Sequence, residues 1–252
     1  MQQWKKDKLT IKKYNTRAEM GAAAAKDAEE VISRMIAEKG QINMIFAAAP
    51  SQNEMLAGLL SSKKIDWSKV NALHMDEYVG LPEGDSHTFG AYLNEHIFSH
   101  KKFRSIHYLG GGEPEAVCAR YTKILEQYPV DVVCLGIGEN GHIAFNDPWV
   151  ADFNDPKPVK IVELDGMCRQ QQVNDGCFPS LDAVPTHAVT LTIPALTSAK
   201  YMFCVVPGAT KTAAVTNTVE GPIAADCPAT VMRNHDGAIL YCDADSGKNI
   251  GA

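Results

Sequence analysis

Asp76 and Glu77 stand side by side directly after the apolar run Val70–Met75, ahead of a loop carrying Gly80, Pro82 and Gly84. Two carboxylates at the tip of a strand are suited to proton transfer. A ligand that covers one of them strips it of water, and desolvation raises a carboxyl pKa toward a working range. The competing reading is a solvated acidic turn. A second candidate lies in Val130–Pro148, VDVVCLGIGENGHIAFNDP. There a glycine-rich loop turns out His142, and Asp147 follows within reach of it. A histidine oriented by a carboxylate is the usual equipment of a proton-transfer site, whereas a histidine satisfied by local backbone would carry no chemistry. Third, Thr210 and Lys211 follow the Pro207-Gly208 turn in a first helical turn. A lysine there opposes the helix dipole unless an anion shares the position. The alternative is a lysine that reaches out to water. Fourth, Ser51 and Glu54 have capping-box spacing after the run Gln41–Ala47. A helix start at that point would offer free N–H groups to an anion, or would simply be capped.

Gly136, Gly138 and Gly141 spell G-x-G-x-x-G, the dinucleotide fingerprint, and Glu163 lies near the spacing of a ribose-binding carboxylate. The fingerprint requires a long helix directly after the glycines. Here only HIAF precedes Asn146-Asp147-Pro148, and Pro156 and Pro158 follow. A crossover helix cannot run through that segment. The loop is therefore expected to serve His142 and not a nucleotide.

These residues must be positioned by elements that end where they begin. Gln41–Ala47, Val70–Met75, Val130–Leu135, Lys157–Leu164, Ala188–Ile193, Tyr201–Val206 and Ala238–Cys242 read as strands. Helical patterns cover Arg17–Glu38, Gln52–Ser61, Thr88–Ser99, Glu113–Gln127, Gly166–Asn174 and Ala209–Val219. Near-continuous apolar strands separated by helices predict a mostly parallel sheet covered on both faces. In such α/β folds ligands bind beyond the carboxyl ends of the strands, which is where all four candidates fall.

The chain has 252 residues and a net charge of −6, with 45% hydrophobic and 21% charged residues. That length is read as a single domain over residues 1–252. No basic block stands out, so nucleic acid is not an expected partner. No apolar run reaches bilayer length, and the polar N-terminus has no signal-peptide core, so neither membrane nor secretion is expected. Seven scattered cysteines without C-x-x-C spacing fit a reducing cytoplasm. Eight histidines without ligand spacing predict no metal site.

Taken in order, HMDEYVGLP, GENGHIAFNDP (Gly138–Pro148) and GATKTAAVTNTVEG (Gly208–Gly221) resemble the signatures of the glucosamine-6-phosphate deaminase/isomerase family. The likeness spans roughly Gln41–Ser246. The 6-phosphogluconolactonases share the fold but typically carry GHTASLFP-like and DER-like segments where this chain has GHIAFNDP and MDEY. The resemblance implies a Rossmann-like three-layer sandwich of the sugar-phosphate isomerase type. It implies that an amino-sugar 6-phosphate is opened, a proton is carried from C2 to C1, and the resulting imine is hydrolysed to ketose phosphate and ammonia, with no cofactor. Asp76 then resembles the C2–C1 shuttle and His142 the ring-opening acid/base. Asp147 stands where the family has a glutamate, and Asn140 where its pattern has aspartate; an amide can orient His142 but cannot ionise. Ser51, Lys211, Arg169 and Gly141 resemble substrate and phosphate contacts. The loop AAAPSQ replaces the family's Gly-Gly-Thr type loop. The family is commonly oligomeric, so a homo-oligomer is a further expectation. The alternatives are a lactonase-type hydrolase and a non-catalytic sugar-phosphate sensor on the same fold.

Overall fold

The computed structural model describes residues 1–82 and 84–251. In chain order its strands are β1 (Gln2–Lys6), β2 (Leu9–Lys13), β3 (Ile42–Phe46), β4 (Val70–His74), β5 (Asp76–Tyr78), β6 (Ser105–His107), β7 (Val132–Leu135), β8 (Val159–Glu163), β9 (His187–Leu191), β10 (Tyr201–Val206) and β11 (Ala238–Cys242). The helices are α1 (Arg17–Lys39), α2 (Asn53–Ser61), α3 (Phe89–His96), α4 (Pro114–Gln127), α5 (Gly166–Asn174), α6 (Ile193–Thr197) and α7 (Thr212–Glu220).

Eight strands form one twisted sheet in the order β1-β2-β11-β10-β7-β3-β4-β6. From β2 to β6 each neighbouring pair is parallel, and β1 joins antiparallel as the second arm of an N-terminal hairpin. The central strands read as continuous apolar runs because alternate side chains enter two different cores. Met44, Phe46, Val132, Cys134, Phe203 and Val205 pack with α1, α2 and α3. Ile45, Val133, Leu135, Met202, Cys204 and Val206 pack on the other side with α4, α6 and α7. The result is a three-layer sandwich with a mostly parallel centre. Helix α1 starts at Thr16, whose side chain accepts from the Glu19 N–H, and stops at Gly40 in the left-handed region.

The sheet reverses direction of growth between β3 and β7. The chain builds outward through β4 and β6, then returns to pair β7 on the opposite side of β3 and continues to β10 and β11. Such a reversal opens a crevice at the strands' carboxyl ends. Gln52, fully buried, bridges it: Nε2 donates to Leu135 O at 3.1 Å and to Val205 O at 3.4 Å.

Three expectations are corrected. Lys157–Leu164 and Ala188–Ile193 do form strands, but β8 and β9 lie outside the parallel sheet. They pair antiparallel with each other and with β5 in a separate three-stranded sheet that caps the carboxyl edge. The polar N-terminus, to which the sequence reading assigns no element, is the β1–β2 hairpin: Leu9 and Ile11 are buried while β1 is an exposed edge. The Ser51–Glu54 capping box does not form. Residues 50–52 make a 3₁₀ turn without a side-chain cap, and Glu54 instead pairs with Arg17 Nε at 2.6 Å. Helix α2 starts two residues later, at Asn53.

Replacing Gln52 with alanine leaves two buried carbonyls without their donor. We expect a loss of about 1–3 kcal/mol, read as a lower urea midpoint at unchanged slope; an unchanged midpoint would show that the bridge is not an anchor.

Candidate active site

β4 and β5 are one stretch of chain that leaves the large sheet and enters the small one at Met75. Met75 O accepts from Leu191 N at 2.8 Å, fastening the joint to β9. His74 braces it from behind. Its Nε2 accepts from Leu109 N at 2.8 Å, so its proton sits on Nδ1, which donates to Asp76 O at 3.0 Å. Burial holds the His74 pKa down to about 4, so this histidine stays neutral and acts as a backbone clamp. Asp76 is thereby set at the floor of the crevice, 7% exposed. Desolvation, and then the neighbouring Glu77, push its carboxyl well above the usual carboxylate range.

Glu77, the other member of the proposed acidic pair, points the opposite way, as successive residues of a strand must. Its carboxylate accepts from the N–H groups of Tyr78, Phe89 and Gly90 and so receives the start of α3. Burial raises its pKa and those three bonds oppose the rise. It belongs to the scaffold, and Asp76 faces the crevice alone.

The three glycines after β7 each have a separate geometric reason. A Cβ on Gly136 would stand 3.2 Å from Ser51 Oγ and from Gln52 Nε2. A Cβ on Gly138 would strike the His142 ring at 2.1 Å, so the imidazole lies directly on the backbone there. Gly141 has φ +88°, and a Cβ on it would meet Cys227 Sγ at 2.7 Å. Gly138 N donates to His142 O and Gly141 N to Gly138 O, both at 2.9 Å, closing a tight turn where a nucleotide loop would have begun a helix. Ala144 sits at φ +48°, a left-handed conformation that costs a non-glycine residue about 1–2 kcal/mol. Asn146 anchors the far end, donating to Ile143 O and Leu191 O.

His142 lies in a polar network with a definite sense. Asn140 Nδ2 donates to Asp147 Oδ1 at 2.9 Å and to Asp165 Oδ2 at 3.2 Å. Its Oδ1 must then be the end that faces His142, accepting from the backbone N–H at 3.0 Å and from Nδ1 at 2.8 Å. Asp147 Oδ1 is also 3.1 Å from Nδ1. Both neighbours of Nδ1 are acceptors, so Nδ1 carries the ring proton and Nε2 is left as the basic nitrogen of a side chain that lines the cleft. Burial alone would raise the Asp147 carboxyl. The His142 hydrogen bond and charge, with bonds from Asn140 and Asp165 N, outweigh it and hold the carboxyl below its ordinary value.

Lys211 closes the third side. Asp243, at the tip of β11, accepts from Gly208 N at 3.0 Å and fixes the turn after β10. Gly208 takes φ +92°, and Lys211 ends the short 3₁₀ turn ahead of α7, buried in the cleft wall. Burial lowers its pKa, and the charges of Asp175 and Glu139 partly offset that. Ser51 lines the same wall. Ala49 has extended backbone, φ −158°, so the AAAPSQ loop runs its course without the left-handed positions that would call for glycine.

The cleft thus gathers Asp76, His142, Ser51 and Lys211, with Asn140 and Asp147 behind His142 and Gly141 within its turn. It does not gather Arg169. That guanidinium donates to Leu181 O at 2.7 Å and to Val184 O at 2.9 Å and ties α5 to the following loop, away from the cleft lining. Sequence reasoning passed over Gln171 and Gln172 of α5 and Asp175 at its C-cap, which line the cleft. It also passed over Asp165 and Cys168. The one available signal was the polar cluster RQQQVND in a helix otherwise able to bury apolar residues. Gln171 Oε1 accepts from Glu139 N at 2.8 Å, docking α5 on the His142 loop. The cleft opens to solvent on one side, and its volume is about 60 Å³.

Comparisons with known proteins agree with this fold. Residues 15–147 match the model of a family described as glucosamine-6-phosphate isomerases/6-phosphogluconolactonase. A glucosamine-6-phosphate deaminase of Listeria monocytogenes serotype 4a (strain HCC23) is 35% identical over 227 residues, 89% of this chain and 94% of that protein. One from Bacillus cereus (strain B4264) is 33% identical over 240 residues, 94% of this chain and 88% of that protein. Among solved structures, a monomeric glucosamine-6-phosphate deaminase superposes with TM-score 0.85 at 27% identity, covering 94% of this chain and 98% of that one. A 6-phosphogluconolactonase from Thermotoga maritima superposes with TM-score 0.75 at 20% identity, covering 94% and 100%, a likeness of fold.

A Gly138→Ala substitution should push the imidazole off its seat. A displacement of an ångström in a reacting group can lower turnover by about 100-fold, so we expect a drop of that order in kcat with native circular dichroism; unchanged kcat would mean that the ring position is not set by Gly138. On the matched family model and the extent of identity with its members, the chain belongs to the glucosamine-6-phosphate isomerase/6-phosphogluconolactonase family.

Proposed function

We propose that the protein is an amino-sugar-phosphate deaminase that converts glucosamine 6-phosphate, or a close epimer, and water to the ketose 6-phosphate and ammonia. The observation that carries this reading is the placement of an unpaired, desolvated Asp76 carboxyl in the same cleft as a His142 whose basic Nε2 is defined by its neighbours. A C2-to-C1 transfer needs one carboxylate that can take a carbon-bound proton and return it to the adjacent carbon. Ring opening needs a second, independent acid/base, and the two must act on different atoms of one bound sugar. The identity with named deaminases supports the same substrate class.

In the proposed sequence His142 Nε2 takes the O1 hydroxyl proton and returns a proton to the ring oxygen, while Asn140 and Asp147 keep Nδ1–H in place. Asp76 then removes the C2 proton. The resulting enolamine is reprotonated at C1 by the same carboxyl, and water hydrolyses the C2 imine to release ammonia. Lys211 and Ser51 hold the phosphate remote from the reacting carbons, so that binding energy serves orientation. With Asn140 as an amide, Asp147 supplies the charge that stabilises a transient imidazolium.

Purified protein given glucosamine 6-phosphate should release ammonia and fructose 6-phosphate in equal amounts; release of neither from any hexosamine 6-phosphate would reject the reaction class. Asp76→Asn should abolish exchange of the C2 proton with solvent. It should also stabilise the fold at neutral pH. A carboxyl whose folded pKa is raised loses stability as pH climbs from its unfolded value to its folded one, and the amide escapes that loss. Each kcal/mol recovered appears as about 2–4 °C in Tm. Because the ionised form is the base, the acid limb of kcat/KM should fall at a pH above about 3.9, the ordinary aspartate value; a limb at the ordinary value would remove Asp76 from the step. Lys211→Ala should raise KM for the phosphorylated sugar by about 10- to 100-fold with little change in kcat, and an unchanged KM would reject its phosphate role.

A further inference from the structure

Cys168 has no part in the chemistry above, yet it stands against it. It is the third residue of α5, 1% exposed, and its thiol packs beside Asp147. One ligand atom from each of His142, Asp147 and Cys168 lies within 4.8 Å of the other two. The charges of Asp147, Asp76 and Asp165 all act on this sulfur. Among the described residues no lysine or arginine forms an ion pair with any of the three carboxylates. A thiol, an imidazole nitrogen and a carboxylate in a negative, water-poor recess are suited to a borderline-soft divalent cation.

We propose that His142, Asp147 and Cys168 form a binding site for Zn²⁺ or a cation of the same class, and that its occupation switches the enzyme off. The spacing fits with small adjustment. Zinc–ligand bonds of about 2.0–2.3 Å arranged tetrahedrally separate ligand atoms by about 3.3–3.7 Å. Nδ1 and Asp147 Oδ1 already stand 3.1 Å apart. The sulfur has at most about an ångström to travel within the 4.8 Å limit, a rotation its position near the start of α5 allows. Loading displaces the Cys168 thiol proton to water and moves the Nδ1 proton to Nε2, breaking the Nδ1–H bond to Asn140. The fourth position is left to water. A thiolate disfavours Mg²⁺ and Ca²⁺, which take oxygen ligands.

Inhibition rests on the role proposed for His142. With the metal on Nδ1, the ring's single proton must sit on Nε2, and the cleft-facing nitrogen can no longer accept one. The ligands come from the β7 loop and from α5, so the cation also ties α5 to the loop that carries His142.

The site is tested separately from the activity. Co²⁺ titrated into the wild-type protein should bind at one equivalent with a near-ultraviolet thiolate-to-cobalt band. Cys168→Ser should lose that band, while Cys227→Ser, at a half-buried cysteine outside the cluster, should keep it. Zn²⁺ should abolish wild-type turnover reversibly on chelation, and Cys168→Ser should need at least tenfold more Zn²⁺ to halve its own uninhibited rate. Absence of the band in the wild type, or its persistence in Cys168→Ser, would overturn the site. The band with undiminished turnover would leave the cation site standing and overturn the switch, along with the role given to His142 Nε2.

Discussion

One stretch of chain, Val70–Tyr78, belongs to both sheets, and most of the cleft follows from how its corner is held. The backbone at Met75 and Asp76 cannot continue the ladder of the large sheet, so its polar groups need other partners. Leu191 N, the neutral His74 ring and the Tyr121 hydroxyl, which contacts His74 N at 3.0 Å and His74 O at 3.1 Å, supply them. This joint turns the chain onto β9 and sends Glu77 into the start of α3. Asp76 remains at the floor of the crevice, and among the described residues no cation or hydrogen-bond donor compensates its burial. The scaffold therefore holds a destabilised carboxylate, the property that the proposed proton transfer draws on.

On the opposite wall the physics runs the other way. Asp147 is buried as Asp76 is, yet its carboxyl is held low, because donors surround it. The two acids differ in environment, and the proposed reaction assigns them different uses: one to exchange a proton, one to orient a histidine. Asn140 couples the second group together. Its amide can satisfy two carboxylates and a histidine only in one orientation, and that orientation selects the Nδ1–H tautomer. An aspartate at position 140 would place a third carboxylate against Asp147 and Asp165. Asparagine there is consistent with its surroundings in this chain, and the negative charge near the ring comes from 147 and 165 instead.

Close approach recurs wherever the cleft is built. His142 lies on Gly138, Ser51 and Gln52 lie on Gly136, and Ala144 accepts a left-handed backbone to swing Phe145 into the small core beneath α5. These contacts leave little free volume, and α5 completes the enclosure through Gln171. The sheet side of the site is closely packed, and α5, a nine-residue helix carried between β8 and β9, docks against it through Gln171.

Much of this was legible in the chain itself. Apolar runs buried on both faces read as parallel strands, and the residues just past each run were found where ligands bind in such folds. Pro148, Pro156 and Pro158 excluded a nucleotide helix, because proline removes a donor and clashes with the preceding turn. Asp76, His142, Asp147 and Lys211 could be named because local chemistry beside a strand tip follows from sequence order. What depended on packing could not be read. Glu77 was indistinguishable from Asp76 until the pleat pointed them apart. Arg169 had the charge of a phosphate ligand but is consumed by carbonyls of its own loop. The antiparallel sheet of β5, β9 and β8 has the same local pattern as a parallel one, since alternation reports burial and not partner. The meeting of Cys168 with His142 and Asp147 joins residues far apart along the chain, with no spacing to announce it. Sequence order determines what each strand tip carries; only the tertiary fold decides which tips share a cleft, because strand partners are chosen by long-range contacts that no local window contains.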